Sequence, residues 1–302
     1  MKKILSLIVI FLVFGFIIKN LPVALILCAV TIAGALIYHK KKEKEEAERK
    51  YYEKKAKEEA KRKEEEENER KRKEAQEAAA RKKKEAGERF DKLLSSIPAH
   101  EVVVDPEATR KPMKECHKSA PDMSNITKTS NLNKICDFVA IDTETTGLHC
   151  SNNQIVELTA IRFREWEPVE IFTTLVNPGK PIPEEATQIH GITDEMVEDA
   201  PRIGEVIKDF DSFIGADILV GHNLPFDLNF LDFAGSEYFN TKRKYYDTLT
   251  LAKLLELYVS NNKLTTLCDY FNIRDNSSAH RSASDALAVG ILFKKLVDLK
   301  TK

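Results

Sequence analysis

The chain is poor in cysteine, and its few cysteines are not arranged in pairs. Its five cysteines are Cys28, Cys116, Cys136, Cys150 and Cys268. No two of them form a Cys-x-x-Cys pair, and their number is odd, which argues against a disulfide framework and against a zinc site. We therefore expect reduced thiols and a cytosolic setting.

The chain also lacks an excess of positive charge. Its formal net charge is -1, and residues 91–302 alone are acidic by about nine charges. Proteins that bind duplex nucleic acid tightly and without sequence preference normally present a basic face. The composition therefore argues against such a protein.

Long apolar runs are confined to the beginning of the chain. The stretches 4–18 and 21–38 contain no charged residue, and each is close to the lower limit of roughly 17–25 residues for crossing a bilayer. Lysines flank the pair on both sides, and such residues favour the cytoplasmic side. We expect residues 1–39 to form a membrane anchor, as a two-helix transmembrane hairpin with the rest in the cytoplasm. A cleaved signal peptide over 4–18 and a single span over 21–38 are the alternatives.

The next segment, residues 40–90, consists mostly of lysine, glutamate, arginine and alanine. Acids repeatedly precede bases by four residues, as Glu45 precedes Arg49, and this order stabilises an isolated helix. No apolar heptad seam is present, so a coiled coil is not indicated. The sequence predicts a long charged helix that acts as a spacer. Residues 91–133 contain four prolines among polar residues and are expected to form an irregular linker.

From about residue 134 the chain has the composition of a globular domain, expected to extend to 302. The run FVAIDTETTGL begins with four apolar residues, which predict a buried strand, and continues with Asp142 and Glu144. Because side chains alternate along a strand, these two acids point the same way. Burying two like charges is costly unless something neutralises them, and a divalent cation would do so. A hydrated turn is the simpler alternative.

Further strands and helices alternate after this run. Strands are predicted over 155–165, 169–178 and 216–221, and helices over 198–214, 248–259, 263–272 and 283–299. Such alternation predicts an α/β layer fold.

Two later segments carry further acids. In GHNLPFDLNFL, Asp227 lies in the first turn of a predicted helix, where a carboxylate also complements the helix dipole. In HRSASDALAV, His280 precedes Asp285 by five residues, and Ser282 with Asp285 would make a capping box. Each residue therefore has a purely structural explanation when it is considered alone.

Taken together and in this order, the three segments resemble the DnaQ-like (DEDDh) 3′→5′ exonuclease family. The family's motifs are matched by Asp142 and Glu144, then Asp227, then His280 and Asp285. QIHGITDEMVEDAP and YDTLTLAK are also similar to that family. The likeness is to the epsilon-subunit or PolC type of proofreading exonuclease and covers about 137–298.

The resemblance implies an RNase H-like exonuclease fold, with a central mixed sheet flanked by helices. It also implies two divalent cations, Mg²⁺ or Mn²⁺, with His280 as the general base. The implied metal ligands are Asp142, Glu144, Asp227 and Asp285. The positions implied to hold the 3′-terminal nucleotide are Thr143, Leu148, Ile189, His190, Asn223 and Phe226.

We therefore expect a membrane-tethered, metal-dependent 3′→5′ exonuclease. It would act on single-stranded 3′ ends, of DNA rather than RNA, and release nucleoside 5′-monophosphates. Carboxylates suit Mg²⁺ or Mn²⁺, whereas zinc would favour histidine and cysteine ligands. The alternatives are an exoribonuclease or oligonucleotide nuclease with the same site, and an inactive nuclease-fold scaffold at the membrane.

Overall fold

The protein is described by a computed structural model that covers residues 8–10, 13–14, 21–106, 132, 135–236, 245–274 and 280–300, except for the side chains of 21–24. The chain divides into two compact units, Met1–Glu77 and Ala78–Lys302. Helix α1, Leu21–Ser96, contributes residues to both units.

In the first unit, α1 is exposed, and it is highly charged after residue 39. Ion pairs four residues apart line it, such as Lys71 Nζ to Glu67 Oε1 at 2.7 Å. The helix predicted over 40–90 is therefore present, and it is longer than predicted at both ends.

The membrane anchor expected over 1–39 is not supported. Among the helices described, none combines the length and the apolar character needed to cross a membrane. Most of the apolar stretch 4–18, the first helix of the expected hairpin, lies outside the described residues. The apolar beginning of α1 continues without interruption into the lysines and glutamates that follow residue 39.

The second unit contains a five-stranded mixed sheet with strand order β3-β2-β1-β4-β5. The strands are β1 Phe138–Thr145, β2 Ile155–Arg164, β3 Glu167–Leu175, β4 Leu219–Gly221 and β5 Tyr245–Asp247. β1 pairs antiparallel with β2 and parallel with β4, β2 pairs antiparallel with β3, and β4 pairs parallel with β5. The predicted central mixed sheet is therefore confirmed.

Helices lie on both faces of this sheet. They are α2 Glu184–His190, α3 Asp194–Val197, α4 Ile203–Ile214, α5 Pro225–Phe233, α6 Thr248–Leu254, α7 Leu264–Phe271 and α8 Ser282–Lys300. The helix predicted over 198–214 begins later, after Pro201, because proline disfavours a helical residue before it.

The alternation of side chains along β1 decides where the site forms. Phe138 and Ala140 belong to the core that contains α8, whereas Val139 and Ile141 belong to the core that contains α4 and α5. Both faces of the strand are buried, which is why its first four residues are all apolar. The same alternation directs Asp142 and Glu144 towards α8, and Thr143 towards α5.

The last part of α1 belongs to the core of the second unit. Phe90, together with Ile97 directly after the helix, is buried in the cluster that also contains residues of α6, α7 and α8. The compact unit therefore begins at Ala78, earlier than the predicted domain boundary at residue 134.

The chain after α1 pairs with an outer strand of the sheet. The Ile171 N–H on β3 donates to the Pro98 carbonyl at 2.9 Å, and the His100 N–H donates to the Ile171 carbonyl at 2.7 Å. His100 also lies between the carboxylates of Glu170 and Asp209. This part of the predicted linker is thus attached to the sheet, whereas 107–131 lies outside the described residues.

Candidate active site

Three carboxylates converge where β1 meets the beginning of α8. Asp142, Glu144 and Asp285 each present a ligand atom, and these atoms lie within 4.8 Å of one another. The two acids of β1 project from the face that α8 covers, and Asp285 lies in the first turn of that helix. Hard oxygen ligands in such a cluster suit Mg²⁺ or Mn²⁺.

The electrostatics of these carboxylates also fit a cation. Burial, followed by the charges of Asp285 and Asp227, raises the pKa of Asp142 well above its ordinary value. Burial and then Asp285 raise the pKa of Glu144 to about 8. Asp142 and Glu144 are half-buried and Asp285 is buried, so the carboxylates repel one another with limited screening by water, and a divalent cation would relieve that repulsion.

Asp227 reaches the site from the other layer of helices. It lies on α5, is 4 % exposed, and its Oδ1 accepts hydrogen bonds from the Thr143 N–H at 3.0 Å and from the Thr143 hydroxyl at 2.7 Å. Burial raises its pKa to about 7, although the two Thr143 bonds lower it. Asp227 thus lies beside the three-carboxylate cluster, and Thr143 holds it there.

His280 lies at the beginning of α8, exposed to solvent. Its φ of 63° is in the left-handed region, which is uncommon for a residue other than glycine. Its N–H donates to Asp285 Oδ2 at 3.2 Å, which ties the histidine to the carboxylate cluster. Ser282 Oγ lies 2.7 Å from Thr159 Oγ1, so that hydroxyl connects α8 to β2 rather than to Asp285.

The residues implied to hold a nucleotide differ in their exposure. Leu148 is 77 % exposed and Ile189 is 60 % exposed, both unusually high for apolar side chains. Asn223 is also exposed and has a φ of 62°, whereas Phe226 is half-buried and packs on Phe230 with ring centroids 5.0 Å apart. Leu148, Ile189 and Asn223 are therefore accessible to a ligand.

His190 is buried in a defined tautomer. It is 4 % exposed, and its Nδ1 accepts the Ile192 N–H at 3.0 Å. In the neutral ring Nε2 must then carry the proton. Burial lowers the pKa of His190, which favours this neutral form. Nε2 is buried and makes no hydrogen bond of good geometry among the described residues, although the Thr145 backbone lies close enough to oppose the lowering of the pKa.

The sequence interpretation missed Glu157, which fixes the beginning of α8. Glu157 lies opposite Glu144 in the sheet and is 4 % exposed. Its Oε1 accepts from Arg281 Nη2 at 2.7 Å, and its Oε2 accepts from the Ser282 N–H at 2.8 Å. A single acid within the apolar strand IVELTAI was the available signal.

Arg274 was also missed, although it contacts a predicted metal ligand directly. Its guanidinium is 1 % exposed and donates to Asp285 Oδ1 and to Ser284 Oγ. It follows α7 in a loop of mixed composition, and nothing in the local sequence distinguishes it.

Asp247 is a third residue that the sequence interpretation did not use. Its Oδ1 accepts the Asn223 N–H at 2.7 Å, and its side chain also caps α6. It thereby holds the left-handed backbone at Asn223 in place, and its position in YDTLTLAK was the available signal.

The chain is similar in sequence to DNA polymerase III of the PolC type. It is 40 % identical over 162 residues to that of Oceanobacillus iheyensis and 37 % identical over 163 residues to that of Bacillus subtilis. Each likeness covers 53 % of this chain and 11 % of the relative. The chain thus matches only about a tenth of the length of these relatives.

Among solved structures, it is similar to exonuclease X in complex with 5′ overhanging duplex DNA, with 26 % identity and a TM-score of 0.45. That likeness covers 53 % of this chain and 91 % of the other. Exonuclease I of E. coli in complex with a dA16 oligonucleotide is 19 % identical with a TM-score of 0.45, over 54 % of this chain and 42 % of the other.

A family model described as an exonuclease, RNase_T, matches residues 139–293. The matched region begins in β1 and ends in α8, so it includes all five residues of the predicted acidic and histidine set. The prediction of a DnaQ-like exonuclease domain with an RNase H-like fold is thereby confirmed. The chain belongs to the exonuclease family.

Proposed function

We propose that the chain is a metal-dependent 3′→5′ exonuclease that hydrolyses DNA from 3′ ends to nucleoside 5′-monophosphates. The observation that carries the proposal is the cluster of Asp142, Glu144 and Asp285, whose ligand atoms lie within 4.8 Å of one another. The PolC-type relatives are DNA polymerases by name, which favours DNA as the substrate.

Asp142, Glu144 and Asp285 would hold Mg²⁺ or Mn²⁺, and Asp227 would complete the acidic site. When bound, two divalent cations supply activation of a water molecule and stabilisation of the leaving 3′ oxygen. Thr143 holds Asp227 by two hydrogen bonds to Oδ1, so that its other oxygen can turn towards the cluster.

His280 would act as the general base. Histidine is the side chain best suited to accept a proton near neutral pH, and the exposure of His280 leaves its ring accessible to water. The hydrogen bond from its backbone to Asp285 keeps it next to the carboxylates.

Leu148, Ile189 and Asn223 would contact the terminal nucleotide, together with Phe226 and the Nε2 donor of His190. Two exposed apolar side chains can pack against a base, because a base has an apolar face whatever its sequence. His190 would donate to a sugar or phosphate oxygen, which would satisfy its buried Nε2.

The test uses the full chain with Mg²⁺ or Mn²⁺ and matched single-stranded DNA and RNA that carry a 5′ label. We expect a ladder that shortens from the 3′ end, faster on DNA, and no ladder with a chelator or with Asp142→Asn. Faster cleavage of RNA would favour the exoribonuclease alternative. Absence of cleavage of either substrate by a folded chain would favour the inactive scaffold.

A further inference from the structure

The environment of Arg274 combines burial with unusual proximity to the acidic site. Arg274 is one of the largest fully buried side chains of the described residues. Burying a guanidinium is costly unless its charge is paired and its donors are satisfied. The pairing partner here is Asp285, which belongs to the three-carboxylate cluster.

The backbone that carries Arg274 is well anchored. Helix α7 ends at Asn272 in the left-handed conformation, with a φ of 50°. The next residue, Ile273, is 6 % exposed, and its N–H donates to the Cys268 carbonyl at 2.9 Å. The guanidinium therefore projects towards α8 from a fixed turn rather than from a mobile end.

The guanidinium itself has contacts on several sides. It donates to Asp285 Oδ1 and to Ser284 Oγ, two neighbouring residues of α8. The Phe90 ring of α1 lies over it, with the ring centroid 5.8 Å from Arg274 Cζ. Phe90 is 3 % exposed, so it separates the guanidinium from water and strengthens the bonds to α8.

These contacts leave Asp285 with two oxygens in defined positions. Oδ1 accepts from Arg274, and Oδ2 accepts from the His280 N–H. We propose that Arg274 is a positioning residue that holds the Asp285 carboxylate in its cation-binding orientation before any cation is bound. The inference rests on the proposed function, in which Asp285 is a metal ligand.

The proposal also assigns a role to the last turns of α1. Phe90 lies outside the region 139–293 that matches the exonuclease family, yet it covers the arginine that fixes Asp285. The end of α1 thus supports the site through Arg274.

The test is a titration of the full chain with Mn²⁺ in the absence of nucleic acid, with the Kd measured by isothermal titration calorimetry. Residues that orient metal ligands typically change metal affinity by about 10–100-fold when they are lost. We expect Arg274→Gln to weaken Mn²⁺ binding by at least about 10-fold. Arg274→Lys should recover part of that loss, because lysine keeps the charge but cannot hold two acceptors as a planar fork does.

The matched control is Arg162→Gln. Arg162 is also paired inside the domain, with Asp217 at 2.8 Å and Glu170 at 3.2 Å, but it contacts none of the three carboxylates of the cluster. We expect it to lower the Tm and to leave the Kd for Mn²⁺ within twofold of the unmodified chain. This separates loss of a paired arginine from loss of ligand orientation.

An unchanged Kd in folded Arg274→Gln would overturn the inference. If that variant does not fold, Arg274→Lys decides, because it keeps the charge but loses the planar fork that contacts both Asp285 and Ser284. A several-fold weaker Kd than that of the unmodified chain supports the inference, and an unchanged Kd means that the guanidinium does not orient Asp285. If the unmodified chain binds no Mn²⁺, or Asp142→Asn binds as well as it does, the proposed function itself fails.

Discussion

At the scale of single residues, the acidic site is defined by carboxylates that repel one another because few positive charges lie near them. Asp142 receives the combined repulsion of Asp285, Asp227 and Glu144, while Arg274 opposes it. For Glu144 the opposing cation is Arg281, and Glu157 adds repulsion. Proton binding and cation binding are therefore alternative ways to neutralise the same carboxylates.

This competition predicts how stability depends on pH. The pKa of Glu144 is about 8 in the folded chain against an ordinary value of 4.5, and that of Asp227 is about 7 against 3.8. A carboxyl group whose pKa is higher in the folded chain stabilises the folded state fully when the pH is below its ordinary pKa. That stabilisation is lost as the pH rises through its pKa in the folded chain. In a chelator, we expect the Tm to fall between about pH 5 and pH 8.5.

Thermal unfolding in a chelator and in Mn²⁺ measures this effect. Added Mn²⁺ should restore the Tm at the alkaline end, because the cation replaces the lost protons. Glu144→Gln removes one titrating group and should flatten the decrease. If the Tm measured with a chelator depends on pH in the same way in the unmodified chain and in Glu144→Gln, the expectation is contradicted.

Glu157 gives a second test at the residue scale. Glu157→Gln keeps the shape of the side chain but removes the charge that pairs with Arg281. We expect a loss of about 1–3 kcal/mol in the free energy of unfolding, because a buried, charged acceptor is weakened. We also expect kcat to fall more than KM changes, since the first turn of α8 carries Asp285.

Denaturant unfolding and steady-state kinetics measure the two effects of this substitution. The control is Glu167→Gln on β3, where the glutamate is exposed. Equal activity of Glu157→Gln and the control would show that Glu157 does not position α8.

At the scale of elements, the site depends on how closely α8 approaches the sheet. Gly290 lies against Phe163 of β2, and a Cβ at this glycine would be 2.2 Å from the Phe163 Cζ. Phe163 cannot easily move, because it is 1 % exposed and stacks on Phe138 with ring centroids 4.7 Å apart. The missing side chain thus allows the contact that places Asp285 beside β1.

Gly290→Ala is therefore expected to destabilise the domain, by about 1–3 kcal/mol as for other overpacked cores. Gly204→Ala on α4 is the matched control, since a Cβ there meets nothing within 4 Å and alanine favours a helix. We expect that control to be neutral or stabilising. Urea unfolding measures the free energy of unfolding of both variants. Equal values would mean that α8 can move away from the sheet without loss of stability.

The elements also show what the sequence can and cannot predict. β1 was predictable because burial on both faces leaves an uninterrupted apolar run, and period-two alternation then places Asp142 and Glu144 on one face. The five acidic and histidine positions were predicted because they lie within local motifs. The proximity of Asp142, Glu144 and Asp285 in space could be expected only from the resemblance to a family.

Long-range pairing was not predictable in the same way. Glu157 and Arg281 are far apart in sequence, and so are Phe90 and Arg274, so no local pattern connects them. The charged composition of 40–90 correctly indicated a helix, but it gave no sign that Phe90, in the last helical turn of that segment, belongs to a core. The short strand β4 ends at Gly221 as predicted but begins three residues later than predicted, at Leu219, because pairing in the sheet, rather than composition, determines its length.

At the scale of the whole molecule, the compact exonuclease unit is larger than the region that matches the family. It begins at Ala78, and it includes the end of α1 and the segment that pairs with β3. Removing these parts would expose apolar surface of the α8 core and leave Ile171 backbone groups without their partners.

A truncation series tests this boundary. We expect a chain that begins at residue 78 to keep the Tm of the full chain within a few degrees. A chain that begins at 134 should lose at least about 3 kcal/mol, since it lacks the buried Phe90 ring. Calorimetry of both fragments measures the difference, and equal Tm values would show that the end of α1 is dispensable.

The most direct test of the proposed function locates a cation in the full chain. Crystals grown with Mn²⁺ would be measured at a wavelength where manganese scatters anomalously. We expect an anomalous peak among the oxygens of Asp142, Glu144 and Asp285, and its disappearance in Asp142→Asn. A chain that shortens DNA from the 3′ end with Mn²⁺, yet shows no peak among these three carboxylates, would contradict the assignment of the site.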